Sequence, residues 1–368
     1  MALTLSVPET VLDLTGFKET VEDLLAGFLD RKAPPADNSG SPDLAAPLRH
    51  FLDAGGKRIR PILAFVGWHA AGATGDPRTV VHLAASLELF HVFALIHDDV
   101  MDSSALRRGR PTVHRALARA RARAHQGDDS GVSAAAAARF GEGAAILIGD
   151  LAMVWSDELL LDGDTNPKQL AALWPVLHAM RSEIVLGQYL DLQATGDASP
   201  DVSRALRIGR YKTAKYTVER PLHLGAIAAE ADQHLLERLS AFALPLGEAF
   251  QLRDDLLGVF GDPAVTGKSA LEDLRDGKST VLTALALQTA TPPQRRALTD
   301  WLGEPHLTDE QAAVARRIIA ATGAPAQVEE MIATRYRTAM DALDDGRLPC
   351  AARRALRDIA EAVTRRTT

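Results

Sequence analysis

Two aspartate pairs, Asp98/Asp99 and Asp254/Asp255, close long apolar stretches whose hydrophobic residues recur at helical spacing. Asp102 lies four residues after Asp98, so both carboxylates share one helix face about a turn apart, and His91, seven residues before Asp98, falls on the same stripe. Gln251 stands in the same relation to the second pair, three residues before Asp254 and four before Asp255. Carboxylates at the end of an apolar helix are costly unless they meet cations. One such pair reads equally well as a solvated helix end; two do not. With no cysteine or multi-histidine cluster beside them, these oxygen donors suit Mg²⁺ rather than Zn²⁺. Magnesium takes one or two protein carboxylates and completes its octahedron with water and phosphate oxygens, so the implied substrate is a diphosphate.

The basic residues supply the rest of such a site. Gly55–Pro61 (GGKRIRP) makes a glycine-led turn into a helix, where backbone can approach an anion while Lys57 and Arg60 reach it. Arg107, Arg108, Gly109 and Arg110 repeat the pattern just after the first acidic helix. Lys212 and Thr213 (with Lys215 as a nearby alternative to Lys212), then Lys268 and Lys278 beyond the second acidic helix, complete the set. Each cluster alone is an ordinary solvated turn. Their recurrence beside the acids is what gives them meaning.

The elements that must position these groups are helices. Alanine and leucine dominate, and helical periodicity runs through nearly the whole chain with no convincing strand. Loops are expected at 33–42, 127–131, 162–167, 195–201, 262–277, 291–293 and 303–309, leaving about a dozen helices. Ser41 with Pro42 reads as a helix start, and Thr308 with Gln311 as a capping box. No composition shift divides the 368 residues, and residues 119–139, with Arg119, Arg121 and Arg123, read as an exposed connection. The expected fold is all-α, a single large helical bundle around a central cavity, with an N-terminal helix and linker over 1–40 and one domain over 41–368.

The 41 Lys and Arg against 48 Asp and Glu give a net charge of −7, which argues against nucleic acid as partner. Cys350 is the single cysteine, so no internal disulfide forms, as suits a reducing compartment, and the first residues lack the basic-then-apolar pattern of a signal peptide. The longest uncharged stretches, such as Pro61–Gly75, fall short of the roughly 20 apolar residues of a membrane span. A cytoplasmic location is expected.

From about Leu48 to Lys278 the chain resembles the trans-isoprenyl diphosphate synthases, the polyprenyl synthetase family: GGKRxRP is complete at Gly55–Pro61, DDxxD at Asp98–Asp102 and RRG at Arg107–Gly109. The resemblance implies the type I isoprenoid synthase fold and head-to-tail condensation of isopentenyl diphosphate with an allylic prenyl diphosphate, with three Mg²⁺ ions per active site and a homodimeric assembly. It implies that Lys57, Arg60, His91 and Arg108 hold isopentenyl diphosphate, and that Arg107, Lys212, Thr213, Gln251, Lys268 and Lys278 surround the allylic diphosphate. Asp98, Asp102 and Asp254 would ligate the metals, with Asp99 and Asp255 beside them. The second motif departs from the family pattern, because Gly258 holds its fifth position; Asp262 lies about 12 Å further along a straight helix, too far to share a metal with Asp254.

Residues before Asp98 should limit the growing tail. Phe93, five residues before it, stands about 7.5 Å below, with Ala94 four before and Phe90 deeper. In similar enzymes an aromatic at the fifth position before DDxxD accompanies geranylgeranyl diphosphate as product, so C20 is expected, with farnesyl diphosphate (C15) as runner-up. A terpene cyclase would leave Gly55–Pro61 without purpose. A non-catalytic subunit of a heteromeric synthase is the alternative of another class, against which stands the intact Asp98, Asp99 and Asp102.

Overall fold

The computed structural model describes residues 11–34, 42–124, 132–261, 272–344 and 346–365. Lys268, Asp262 and Ser41 lie outside them. Helices come in the order α1 (Leu14–Arg31), α2 (Ala46–Asp53), α3 (Ile59–Ala70), α4 (Pro77–Met101), α5 (Val113–Ala124), α6 (Ala134–Leu161), α7 (Pro167–Ala194) and α8 (Val202–Gly209). A π-helical segment, Arg210–Glu219, continues α8 into α9 (Arg220–Ala228), which is followed by α10 (Gln233–Phe260). The C-terminal part comprises α11 (Glu272–Arg275), α12 (Val281–Thr289), α13 (Pro292–Trp301), α14 (Asp309–Ala321), α15 (Ala324–Leu343) and α16 (Cys350–Thr364).

Helix α4 is the axis of the molecule. It packs on α1, α3 and α6, and its Leu83, Leu87, Leu89, Phe90 and Ile96 are almost wholly buried. Contrary to the expectation from uncharged stretches, α4 is long and apolar enough to cross a membrane by composition, but 67% of that window is buried inside the protein. It is a core helix. The N-terminal α1 belongs to the same core, through Phe17, Val21, Leu25, Phe28 and Leu29. Asp76 caps α4 by accepting from the Arg78 backbone, Asp232 caps α10 through Leu235, and the expected Thr308–Gln311 capping box is present at α14.

Local readings differ at three places. Pro42 does not open a helix; α2 begins at Ala46 with Pro47 in its first turn. Arg119, Arg121 and Arg123 ride on α5 rather than on a connection, because alternating Arg and Ala are both strong helix formers, and the alanine run after Ser133 opens α6. Leu106–Arg107 pairs antiparallel with Arg110–Pro111 as a minimal hairpin. Both turn residues, Arg108 (φ 53°) and Gly109 (φ 73°), have positive φ, as a two-residue hairpin of the primed type requires.

Candidate active site

The first acidic cluster sits at the C-terminal end of α4, and protein cations close over it. Arg107 of the hairpin donates from Nε to both oxygens of buried Asp99 at 2.9 Å and reaches Asp98 at 3.3 Å. Lys212 donates to Asp98 at 3.1 Å and to Asp191 at 2.6 Å, while Gln188 donates to Asp98 at 3.1 Å. Lys278 lies 3.4 Å from Asp102 and 3.4 Å from Asp273. Burial opposes ionisation of Asp98, but Lys212, Arg107 and Lys278 together outweigh it and hold the carboxyl well below its usual range. Asp102 is pushed up, by burial and then by the Asp98 charge. Lys212 and Lys278 are half-buried yet stay firmly protonated, because Asp98 and Asp191 surround the first, and Asp273, Asp102 and Asp98 the second.

The second cluster differs. Asp255 on α10 is buried, accepts from Gln251 Nε2 at 2.7 Å, and is pushed up to about 7 by burial, which the Gln251 hydrogen bond offsets only in part. Gln251 in turn accepts from the Thr213 hydroxyl. Consecutive residues of one segment therefore grip both acidic helices: Lys212 holds α4 and Thr213 holds α10. The segment is π-helical and wedged between neighbours at two glycines. Side chains at Gly187 of α7 or Gly247 of α10 would collide with the backbone of Lys212 or Ala214. Stretches of π geometry are rare and occur frequently at functional sites. Lys215, the alternative to Lys212, pairs with Glu183 at 2.6 Å instead.

The glycine-led turn is anchored from below. Gly55 (φ 80°), Gly56 (φ 155°) and Arg58 (φ 49°) take backbone conformations that side chains rarely adopt. Arg58 is buried, and donates to Glu22 of α1 at 3.0 Å, Glu88 of α4 at 2.6 Å and the Leu52 carbonyl at 3.0 Å. That fixes the exposed Lys57 and the start of α3. Arg60 stacks over the Tyr216 ring at 4.2 Å and donates to Thr217 at 2.6 Å. His91 meets the Tyr216 hydroxyl at 3.2 Å, and burial followed by the charges of Arg60, Arg107 and Arg108 keeps its imidazole neutral.

Beneath Asp98, Phe90 is fully buried and meets half-buried Phe93 at 5.2 Å, with Arg181 over its ring at 5.3 Å. Gln188, Asp191, Asp273 and Tyr216 join the site without having been read from the sequence. The i, i+3 spacing of Gln188 and Asp191 within an apolar helix was the available signal. At Gly258, where the second motif lacks its last carboxylate, the Asp273 carboxylate packs so close that any side chain there would displace it.

Among the described residues no group of three or more His, Cys, Asp or Glu is assembled as a metal cage. Carboxylates contributed one or two at a time fit magnesium that brings phosphate oxygens as its remaining ligands.

A model of the polyprenyl synthetase family matches residues 41–320. The structure superposes with TM-score 0.89 on a geranylgeranyl pyrophosphate synthase from Corynebacterium glutamicum, solved with isoprenyl diphosphate and magnesium, at 42% identity and covering 96% of this chain and 99% of that one. Geranylfarnesyl diphosphate synthase of Aeropyrum pernix is 33% identical over 75% of this chain and 79% of its own length. (2E,6E)-farnesyl diphosphate synthase of Mycobacterium tuberculosis is 34% identical over 73% and 68%. Acidic helix ends, arginine hairpin and glycine turn therefore occur together in a fold and a sequence pattern with known relatives: the chain belongs to the polyprenyl synthetase family and is a trans-prenyltransferase.

Proposed function

We propose that this enzyme condenses isopentenyl diphosphate with allylic diphosphates in the cytoplasm, up to geranylgeranyl diphosphate. The observation that carries the reading is the joint grip of Lys212 and Thr213, which brings the ends of α4 and α10 to one place. Asp98, Asp102 and Asp254 would hold magnesium, three ions per site, which supplies Lewis-acid neutralisation of the leaving diphosphate. Arg107, Lys212, Thr213, Gln251, Lys268 and Lys278 orient that diphosphate, Asp99 holds Arg107 in place, and Asp255 supports Gln251. Lys57, Arg60, His91 and Arg108 hold isopentenyl diphosphate so that its double bond faces the allylic carbon. The apolar walls of α4 keep water from the allylic cation.

His91 is a poor base, because its imidazolium would face Arg60, Arg107 and Arg108. The departing diphosphate therefore takes the proton lost after condensation. Phe93 and Phe90 form the floor that ends growth. Exposed Phe140, Leu147, Val154 and Leu161 recur every seventh residue along α6, and with Val185, Leu186, Tyr189 and Leu192 on α7 they offer an apolar face to a second copy, which supports a homodimer.

The test is mass spectrometry of products from the purified chain with magnesium, isopentenyl diphosphate and C5, C10 or C15 starters. C20 product is expected; failure to consume isopentenyl diphosphate would favour the non-catalytic subunit, and a C15 stop the farnesyl reading. Phe93→Ala should lengthen the product, and an unchanged distribution removes Phe93 from the floor.

A further inference from the structure

Beside the arginine hairpin lies a cavity of about 260 Å³ whose lining shares no residue with α4 or α10. Its walls are apolar: Pro47 and Phe51 from α2, and Val113, Ala116, Leu117 and Ala120 from α5. Arg107, Arg108 and Arg110 line it from the hairpin, so it borders the active site, with Arg107 already engaged on Asp98 and Asp99. Among the described residues the Arg108 side chain has no hydrogen-bond or ion-pair partner, although its charge is already disfavoured by burial and by neighbouring Arg58 and Arg107. Glu88, the carboxylate whose charge acts on Arg108, is committed to Arg58. A cation left unneutralised at the rim of an apolar hole suits an amphiphile with an anionic head.

Size narrows the choice. A dry cavity of about 150 Å³ takes the six carbons of benzene, so 260 Å³ scales to about ten carbons, two isoprene units. We propose that this cavity binds a short prenyl diphosphate, with its tail between α2 and α5 and its diphosphate on Arg108 and Arg110. Because Arg108 then serves two anions, occupancy of the cavity competes with isopentenyl diphosphate. This competition rests on the role assigned to Arg108 above; the binding itself does not.

Geranyl thiolodiphosphate, an analogue that resists ionisation, separates the two. In calorimetry of the full chain without magnesium it should occupy one site, weakened about ten-fold by Ala116→Trp, which fills the cavity, and roughly five-fold by Arg110→Ala. Inorganic diphosphate should bind the native chain and Ala116→Trp alike. With magnesium and saturating allylic substrate, the analogue should inhibit competitively against isopentenyl diphosphate, and less so in Ala116→Trp, whose own kcat and KM for isopentenyl diphosphate stay unchanged. Equal affinity of native and Ala116→Trp for the analogue, or inhibition competitive against the allylic substrate alone, overturns the proposal. Should Ala116→Trp lose its helical circular dichroism, Ala120→Phe carries the same comparison. A calorimetric site that Ala116→Trp removes, in a chain without turnover, would retain the cavity and discard the functional reading.

Discussion

The two acidic helix ends carry the same residue type and opposite electrostatics. At the end of α4, Asp98 meets Lys212, Arg107 and Gln188, and Asp102 meets Lys278, so these carboxylates rest on cations the protein itself provides. At the end of α10, Asp255 has only neutral Gln251 and a backbone donor against burial, with Asp273 and Asp254 adding negative charge. Asp98 is countered by protein cations before any ligand arrives; Asp255 is held by burial beside a neutral partner and favours its protonated form. On the proposed roles the difference divides the labour: the α4 end brings its own cations toward the diphosphate as well as sharing the metal with Asp254, whereas the α10 end has no such cation on Asp255.

The sharpest way to break this contrast is Asp98→Ala. Lys212 keeps Asp191 and Arg107 keeps Asp99, so the variant should fold normally while turnover falls by roughly a thousand-fold or more. Native turnover with unchanged circular dichroism would remove the α4 end from the chemistry. Next in size is Lys212→Gln, which removes the charged donor proposed for the allylic diphosphate; kcat/KM for that substrate should drop about a hundred-fold. Gln251→Leu should cost less, about ten-fold, and an effect larger than that of Lys212→Gln would reverse the proposed division.

The smallest expected effect is on stability. Asp98 has a folded pKa below its unfolded value, so its contribution is present above about pH 4 and is lost as the pH falls further. Asp255 has the opposite sign. Its pKa rises from 3.8 to about 7 on folding, so between those values the folded state holds a proton that the unfolded state has lost, and stability declines as the pH rises. Magnesium-free denaturation of native protein and Asp255→Asn should differ in slope by at most about 1.4 kcal/mol per pH unit in that window. Superimposable slopes would mean that Asp255 is as well neutralised as Asp98.

Much of the site was legible because its groups are local in sequence: the carboxylates of α4 sit on one helix turn, and the glycine turn declares its own backbone. What escaped depends on packing between distant segments. From α7, Gln188 reaches Asp98, some 90 residues away, and Asp191 reaches Lys212; apart from their i, i+3 spacing nothing in that helix singles them out. The role of Arg58, between Lys57 and Arg60, was not legible either: its guanidinium is spent on Glu22 and Glu88 beneath the turn. The choice between Lys212 and Lys215 could not be made from α-helical spacing, because the segment carrying them is wound more loosely and its side chains are out of phase with an α-helix. The shortfall of carboxylate at Gly258 had no visible remedy either, since the group filling that space is Asp273, fifteen residues further along the chain.

The looser winding of Arg210–Glu219 also limits how this region can vary in length. Neighbouring residues there serve different helices, so adding or deleting a single amino acid would turn Lys212 and Thr213 away from their targets together. Surface loops elsewhere can absorb such changes; this short stretch must keep its residue count.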